Sequence, residues 1–336
     1  MLPFINDILS YDSLSIVGLE KNTGKTECLK YVLDRLPVDT MRIAVTSIGI
    51  DGESVDQVTR TQKPEIVLRE GMYFGTSETH YRQRRLMSEL IDVSDESTSL
   101  GRVVTAKAIT GGKILLSGPS SGGSLRRWMQ EMQRFDIDLI IIDGALSRLS
   151  SASPAVSQSM ILATGAAYSA NINTLVNKTA HVVDLINLEL TDESNIRLLT
   201  PLEKGLWFID KEGELHSLDT ATSLSQDIRF QGMEDCKTLY VAGALVDGFL
   251  EKVRKNKDLK RVELVVRDFT KIFVTPQQFR LFIKAGGRIS VLQKSKLIAV
   301  TVNPTSPSGY VLDSDILCGK LNEAIKLPVY DLLKNN

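Results

Sequence analysis

The sequence predicts an α/β fold, in which a mostly parallel sheet is flanked by helices on both faces and interrupted by β-hairpin insertions. Three observations favour this fold. Short apolar runs, of which 139–142 is the most apolar, lack the polar alternation of half-exposed strands, so each run predicts a strand buried on both faces. Apolar residues between these runs recur at helical spacing. Strands and helices also alternate along most of the chain.

The first half of the chain shows this alternation most clearly. A strand at 14–17 is followed by a helix whose apolar stripe recurs every three or four residues up to Leu36, where Pro37 ends it. Further strands are predicted at 43–46, 114–116, 139–142 and 161–163, and further helices at 82–91, 125–135 and 172–188. The pattern resumes near the C-terminus, with strands at 238–241, 262–266, 297–302 and 327–330 and helices at 246–253, 276–283 and 316–325.

Glycine-containing turns predict two hairpins, and these help to define the domains. One hairpin pairs 102–109 with 113–116 across Gly111 and Gly112, and the other pairs 207–209 with 214–217. The second hairpin falls within a polar, irregular stretch. We therefore expect a core at 1–190, an irregular hairpin insertion at 191–236, and a C-terminal α/β region at 237–336 that either extends the sheet or forms a small second domain.

Composition excludes several classes of function. The 336 residues include 40 Lys and Arg against 41 Asp and Glu, a net charge of −1, so the chain lacks the basic character that general nucleic-acid binding requires. No run of about 18 apolar residues occurs, so we expect no membrane-spanning segment. The three cysteines are far apart, which predicts reduced thiols and a cytoplasmic protein.

The segment 18–26, Gly-Leu-Glu-Lys-Asn-Thr-Gly-Lys-Thr, joins the first strand to the first helix. Backbone N–H groups at a helix N-terminus attract phosphate, and Gly24 lets the backbone approach it closely. Lys25 supplies a flexible cation for the β- and γ-phosphates, and Thr26 supplies a hydroxyl for Mg²⁺. Five residues separate the two glycines where the usual pattern has four. The predicted ligands are ATP or GTP with Mg²⁺, bound through Gly18, Lys21, Asn22, Thr23, Gly24, Lys25, Thr26 and Glu27.

Two acidic residues are expected to complete this site. Asp143 ends the most apolar strand, and the carboxyl ends of parallel strands open onto a common ligand crevice, where a carboxylate supports Mg²⁺ directly or through water. Asp51 follows the second strand, together with Glu53, and would hold Mg²⁺ through water or orient an attacking water. The predicted catalytic residues are therefore Lys25, Asp51 and Asp143, and the predicted metal ligands are Thr26, Asp51 and Asp143. The alternative for each Asp is a residue that only ends a strand or forms a turn.

Other segments carry weaker signals. The loop 117–123 is rich in small residues and is a further candidate for contact with phosphate or substrate. His80, His181 and His216 have no partners at metal-ligand or catalytic spacing, so we expect them to be structural or to lie at the surface.

The phosphate loop resembles that of dethiobiotin synthetase, which has the same spacing between its glycines, and that of the adaptor protein of molybdopterin guanine dinucleotide synthesis. Both belong to the MinD-like class of P-loop proteins. A resemblance over nearly the whole chain is to the KamB family, the small reactivase subunits associated with lysine 5,6-aminomutase. It is carried by the segments 17–26, 46–53, 299–307 and 327–331.

The KamB resemblance implies an ATPase switch that helps to reactivate an adenosylcobalamin-dependent lysine aminomutase. The partners it implies are lysine 5,6-aminomutase and KamC, a MutS-like ATPase subunit. The chain has no Asp-x-His-x-x-Gly segment, so we do not expect it to bind cobalamin itself. Two alternatives remain open: a small-molecule ligase or kinase related to dethiobiotin synthetase, and a non-catalytic nucleotide-binding adaptor.

Overall fold

The structure is a computed structural model that describes residues 3–48, 65–145, 153, 156–218, 220, 222–225, 230, 233–256 and 262–334. It divides into two compact units, unit 1 (Met1–Thr179 and Lys296–Asn336) and unit 2 (Ala180–Ser295). This division differs from the boundaries expected at residues 190 and 236. The reason is that 180–295 build a sheet of their own, whereas the strands after residue 295 return to the first sheet.

The helices and strands follow one another in a largely alternating order. The helices are α1 (Phe4–Ile8), α2 (Lys25–Arg35), α3 (Glu78–Arg82), α4 (Gly122–Met132), α5 (Ile172–Ile186), α6 (Glu193–Leu199), α7 (Asp247–Lys255), α8 (Pro276–Lys284) and α9 (Ser314–Ile325). The strands are β1 (Ser13–Gly18), β2 (Ile43–Ser47), β3 (Ile66–Leu68), β4 (Tyr73–Ser77), β5 (Ser88–Thr98), β6 (Gly101–Ala108), β7 (Gly112–Ile114), β8 (Leu139–Ala145), β9 (Ser159–Gly165), β10 (Leu206–Asp210), β11 (Leu215–Ser217), β12 (Cys236–Val241), β13 (Leu245–Val246), β14 (Glu263–Val266), β15 (Ile272–Phe273), β16 (Arg288–Val291), β17 (Lys296–Asn303) and β18 (Val329–Asp331).

Unit 1 is built on a large, mostly parallel sheet, as the sequence predicts. Within the described residues its strand order is β18-β17-β9-β1-β8-β2-β4-β6-β5. The strands from β18 to β4 run parallel, and β6 and β5 are added antiparallel at one edge. Every residue of β1 is buried, which explains why its sequence shows no polar alternation.

Helices cover both faces of this sheet, which confirms the predicted layers. Consecutive residues of β8 point to opposite faces. Ile141 belongs to the apolar cluster that contains Leu14 of β1 and Leu29 of α2. Ile140 belongs to a separate cluster with Leu125 of α4. The segment 18–26, called the phosphate loop here after its predicted role, leads from the end of β1 to the start of α2.

The hairpin predicted across Gly111 and Gly112 is wrong, and the strand predicted at 114–116 is displaced. β7 ends at Ile114 and pairs with β3, while β6 pairs with β4 and β5. Gly112 is needed because two backbone segments approach each other closely here: a Cβ at Gly112 would lie only 2.1 Å from the Arg85 carbonyl oxygen. The hairpin in this region is β5–β6, which closes where Thr98 pairs with Gly101.

The helix predicted at 82–91 is also wrong. α3 ends at Arg82, and the chain enters β5 at Ser88. The apolar residues from Leu86 to Ile91 fit helical spacing by coincidence, but Leu90 is exposed and pairs with Ala106 across the strands. Pairing with β6, which follows β5 directly after a tight turn, decides the structure here over the helical spacing of the apolar residues.

Unit 2 has a smaller sheet with the order β11-β10-β12-β14-β16 within its described residues. The predicted hairpin at 207–217 is confirmed as β10–β11, closed by a turn in which Gly213 has φ +91°. This hairpin continues the sheet through β12, which explains why the irregular stretch around it belongs to unit 2. β12, β14 and β16 are parallel, and α6 contributes Leu199 to the core beside Tyr240.

In neither unit do the described residues include a helix that combines the length and the apolar character needed to cross a bilayer.

Candidate functional site

The backbone of the phosphate loop turns directly from a buried strand into a helix. β1 ends at Gly18, and Leu19 donates its N–H to the Ala163 carbonyl at 2.9 Å, which ties the start of the loop to β9. Gly24 has φ +90°, a left-handed conformation that favours glycine, and α2 begins at the next residue. The first N–H groups of α2 therefore lie at the carboxyl end of β1, in the arrangement that binds anions.

The interior of the loop is packed against the end of β1. The hydroxyl of Thr23 is buried and donates to the Glu20 carbonyl at 2.8 Å. A Cβ at Gly18 would lie 2.8 Å from this hydroxyl oxygen, so a glycine is needed there. The Thr23 side chain thus stabilises the loop from within, and the group through which Thr23 would contact a ligand is its backbone N–H.

The other predicted nucleotide-binding residues lie on the outside of the loop or on the first turn of α2. Lys21 and Asn22 are exposed, and Asn22 has φ +62°. Thr26 is half-buried, one residue after Lys25. Glu27 is exposed, and its carboxylate pairs with Lys30 Nζ at 2.9 Å along the same helix. The structure therefore places Lys21 to Thr26 between the carboxyl end of β1 and the first turn of α2. The Glu27 carboxylate instead forms an ion pair along the helix surface.

Lys25 and Asp143 form the electrostatic centre of the site. Lys25 Nζ lies 3.0 Å from Asp143 Oδ1, and the two side chains are 26% and 20% exposed. Asp143 is on β8, next to β1 in the sheet, and pairs with Ile16 of β1 and Ser47 of β2. Among the described residues the buried Oδ1 takes part in this ion pair but accepts no hydrogen bond. A buried carboxylate oxygen in that state fits a cation or its bound water as a further partner.

Residues Asp51 and Glu53 lie outside the described residues. Ile48, the last described residue before them, donates its N–H to the Asp143 carbonyl at 3.1 Å. The described residues contain no cluster of three His, Cys, Asp or Glu that would bind a metal by itself. Protein Mg²⁺ sites commonly use one or two side chains together with phosphates and water, and Thr26 and Asp143 fit that type of donor set.

The loop 117–123 packs against the end of β2. Gly118 donates its N–H to Ser47 Oγ at 3.0 Å, and a Cβ at Gly118 would lie 1.9 Å from the Ser47 carbonyl oxygen. Ser117, at the start of the loop, is buried; its hydroxyl lies 2.7 Å from His80 Nδ1 and 2.6 Å from Ser77 Oγ. A buried polar network therefore holds this loop at the carboxyl end of β2, the strand next to β8.

The three histidines have local partners, as expected of structural residues. His80 belongs to the network just described. The ring of His181 contacts the Val274 carbonyl at 3.1 Å through Nε2, and His216 Nε2 lies 2.7 Å from Asp210 Oδ2. In agreement with this contact, hydrogen bonding to His216 holds the pKa of Asp210 below its usual value.

Asn303, at the end of β17, is a contact of the phosphate loop that sequence reasoning missed. Its Nδ2 donates to the Asn22 carbonyl at 3.0 Å. Its Cβ would lie 3.0 Å from a Cβ at Gly24, so Asn303 packs directly on the glycine that precedes α2. The sequence shows only an apolar strand that ends in Asn-Pro; the topology, with β17 next to β9, brings this strand end close to that of β1.

Cys28 lies beneath the site on the buried face of α2. Burial raises the pKa of its thiol to about 12, and the negative charge of Asp143 adds to this effect. Such a thiol is un-ionised at neutral pH and has no nucleophilic role.

No family model, curated protein or solved structure gives a significant match to this chain. The functional assignment therefore depends on the geometry of the site and on the motifs themselves.

Proposed function

We propose that this chain is a P-loop nucleotide-binding protein that acts as a Mg²⁺-dependent ATPase switch. The observation that carries the proposal is the 3.0 Å ion pair between Lys25 and Asp143 at the carboxyl ends of two adjacent parallel strands. A cation from the loop, a carboxylate from the neighbouring strand and a helix N-terminus are the parts that phosphoryl chemistry in this class of protein requires.

Each residue has a definite role in this proposal. The N–H groups at the start of α2 bind the phosphate chain, and the Lys25 ammonium moves from Asp143 to the terminal phosphate oxygens. Thr26 and Asp143 would hold Mg²⁺, which when bound neutralises charge that develops on the phosphates. Asp51 orients the attacking water. The nucleotide is ATP or GTP.

The proposed biological role follows from the resemblance to the KamB family. In that role the nucleotide cycle of this chain assists KamC in releasing inactive cofactor from lysine 5,6-aminomutase. The fold supplies one supporting relationship: the segment 299–307 of the resemblance reaches the phosphate loop. Residues 299–303 lie on β17, two strands from β1, and Asn303 contacts the loop.

A second candidate function, a small-molecule ligase or kinase, is favoured by a cavity of about 580 Å³ beside α4. Apolar Trp128 and Phe135 and charged Asp92 and Arg134 line it, and it reaches Pro119 in the loop that packs on β2. A ligase or kinase needs a second substrate pocket near the phosphates. Such a protein would transfer phosphate to an added small molecule, whereas a switch would hydrolyse nucleotide slowly and respond to its protein partner.

The test is titration of the full chain with ATP and with GTP in the presence of Mg²⁺, by calorimetry. Lys25→Ala should lower affinity about 10- to 100-fold, since it removes a charged partner of the phosphates. Lys30→Ala is the matched control, because Lys30 lies on the same helix and its ion pair within the described residues runs along that helix to Glu27. Equal affinity in the Lys25→Ala variant and the parent would refute the phosphate site.

The partner assignment has its own test. Lysine 5,6-aminomutase loaded with hydroxocobalamin is incubated with this chain, KamC, adenosylcobalamin and Mg-ATP, and recovery of activity is followed. Recovery that needs this chain and is lost with Lys25→Ala supports the role. Nucleotide binding without any effect on recovery would leave the nucleotide site standing and reject the aminomutase as partner.

A further inference from the structure

We propose that Asn303 is a positioning residue. Its side chain holds the backbone of the phosphate loop in the anion-binding form before nucleotide binds. This inference rests on the proposed nucleotide-binding function. It assigns a role to a residue that is 281 positions away from its partner in the chain.

The side chain of Asn303 has a defined orientation. Its Nδ2 donates to the Asn22 carbonyl at 3.0 Å, and its Oδ1 accepts the N–H of Thr305 at 3.1 Å. Since a carboxamide has its donors on nitrogen and its acceptor on oxygen, both contacts require the same orientation of the group. The Thr305 contact therefore keeps the donor directed at the loop.

The backbone of Asn303 is equally constrained. Its carbonyl accepts the N–H of Ala166 at 2.8 Å, and Asn303 pairs with Gly165 in the β9–β17 register. A Cβ at Gly165 would lie 2.2 Å from the Asn303 carbonyl oxygen, so only glycine permits this approach. The side chain thus extends from a fixed point on the sheet.

The contact acts on the least favourable part of the loop backbone. Asn22 has φ +62° and Gly24 has φ +90°; asparagine adopts the left-handed region more readily than most other non-glycine residues, and a contact from its surroundings offsets the remaining cost. In a trans peptide the N–H points away from the C=O. Holding the Asn22 carbonyl therefore also fixes the direction of the Thr23 N–H, and packing against Gly24 limits movement of the next turn.

The primary test variant is Asn303→Ser. Serine is neutral and keeps a short acceptor for the Thr305 N–H, but it is too short to reach the Asn22 carbonyl. We expect the affinity for Mg-ATP, measured by calorimetry, to fall about three- to fivefold, in line with the net worth of one hydrogen bond. The melting temperature should stay close to that of the parent, and the amide resonance of Thr23 should shift in the nucleotide-free protein. Asn171→Ser is the control, because Asn171 Oδ1 accepts the Thr174 N–H at 3.0 Å at the start of α5, and among the described residues no hydrogen bond joins this side chain to the phosphate loop.

Asn303→Asp is the second variant, in case the serine variant folds poorly. Aspartate has the same size and keeps the Thr305 contact but has no N–H to donate, so the Thr23 resonance of the nucleotide-free protein should again shift. Parent-like affinity in Asn303→Ser, or an unshifted Thr23 resonance in Asn303→Asp, would overturn the positioning role while leaving the nucleotide site in place. Failure of the parent protein to bind nucleotide would overturn the proposed function and this inference together.

Discussion

Lys25 Nζ lies 3.0 Å from Asp143 Oδ1, although the two residues are 118 positions apart in the chain. The pairing follows from the topology, because β1 and β8 are adjacent parallel strands and both open at the same edge of the sheet. The ammonium is thus held by the carboxylate, and a phosphate chain would compete with Asp143 for it. The ion pair can therefore be tested by substituting either Lys25 or Asp143.

Asp143→Asn should separate phosphate binding from metal binding. Loss of the carboxylate frees Lys25, so affinity for ATP without Mg²⁺ should rise by up to about fivefold, the worth of a partly exposed ion pair. The gain in affinity that Mg²⁺ brings to the parent should shrink, because Asn is a weaker magnesium ligand. Calorimetry with Mg²⁺ and with excess chelator measures both effects. A variant with the parent's Mg²⁺ dependence would remove Asp143 from the metal site.

Gly24→Ala should weaken nucleotide binding more than the strain of the left-handed backbone alone explains. The substitution places a Cβ at φ +90° and 3.0 Å from Asn303 Cβ, so it is strained and displaces the loop. Gly71→Ala is the matched control, since Gly71 has φ +85° but nothing within 4 Å of its Cβ. We expect both variants to lose about 1–2 kcal/mol of unfolding free energy from the left-handed conformation, measured by urea unfolding.

The two glycine variants should differ in nucleotide binding. Only Gly24→Ala alters the packing between the loop and Asn303, so only this variant should bind Mg-ATP more weakly, by about tenfold or more. If Gly71→Ala lost affinity to the same extent, the loss would reflect general destabilisation and not the shape of the loop.

The local parts of the site could be predicted from sequence, because strand, loop and helix are consecutive in the chain. The segment 18–26 carries its own signature, and Asp143 follows an apolar run that only a central strand explains. Asn303 could not be found in this way, since its role depends on β17 returning to the sheet next to β9. No local pattern records which distant strand will be the neighbour.

The errors in the fold have other causes. Leu86, Leu90 and Ile91 satisfy helical spacing, but Leu86 lies between α3 and β5, and Leu90 and Ile91 lie on β5, which pairs with β6 in a hairpin. Gly111-Gly112 predicts a tight turn, but the structure needs a glycine for another reason: a Cβ at Gly112 would lie 2.1 Å from the Arg85 carbonyl oxygen. A close approach and a tight turn demand the same residue, and the sequence does not distinguish them.

Asp51→Asn should bind nucleotide nearly as well as the parent but hydrolyse it at least about tenfold more slowly, because the phosphate loop is intact and an orienting carboxylate is lost. Asp51 lies outside the described residues, three positions after Ile48, whose N–H is bonded to the Asp143 carbonyl at 3.1 Å. The measurement is single-turnover hydrolysis beside calorimetric affinity, with Glu53→Gln as the comparison. Unchanged turnover in Asp51→Asn together with slow turnover in Glu53→Gln would move the role to Glu53.

The buried thiol of Cys28 should make stability fall in alkaline solution. Burial raises its pKa in the folded protein from 9.0 to about 12. Between these values the unfolded chain loses a proton that the folded chain keeps, so the unfolding free energy decreases as pH rises above 9. The stabilising contribution is complete well below pH 9, and the expected loss from this group is on the order of 1 kcal/mol at pH 10 relative to pH 8. Urea unfolding of the parent and of Cys28→Ala at both pH values isolates this contribution, since all other groups titrate in both proteins.

The parent should lose more unfolding free energy than the Cys28→Ala variant, by about that amount. Cys28 of the parent should also resist alkylation at pH 8 until urea is added. Parallel losses in the two proteins, or rapid alkylation without urea, would mean that water reaches the face of α2 beneath the phosphate loop.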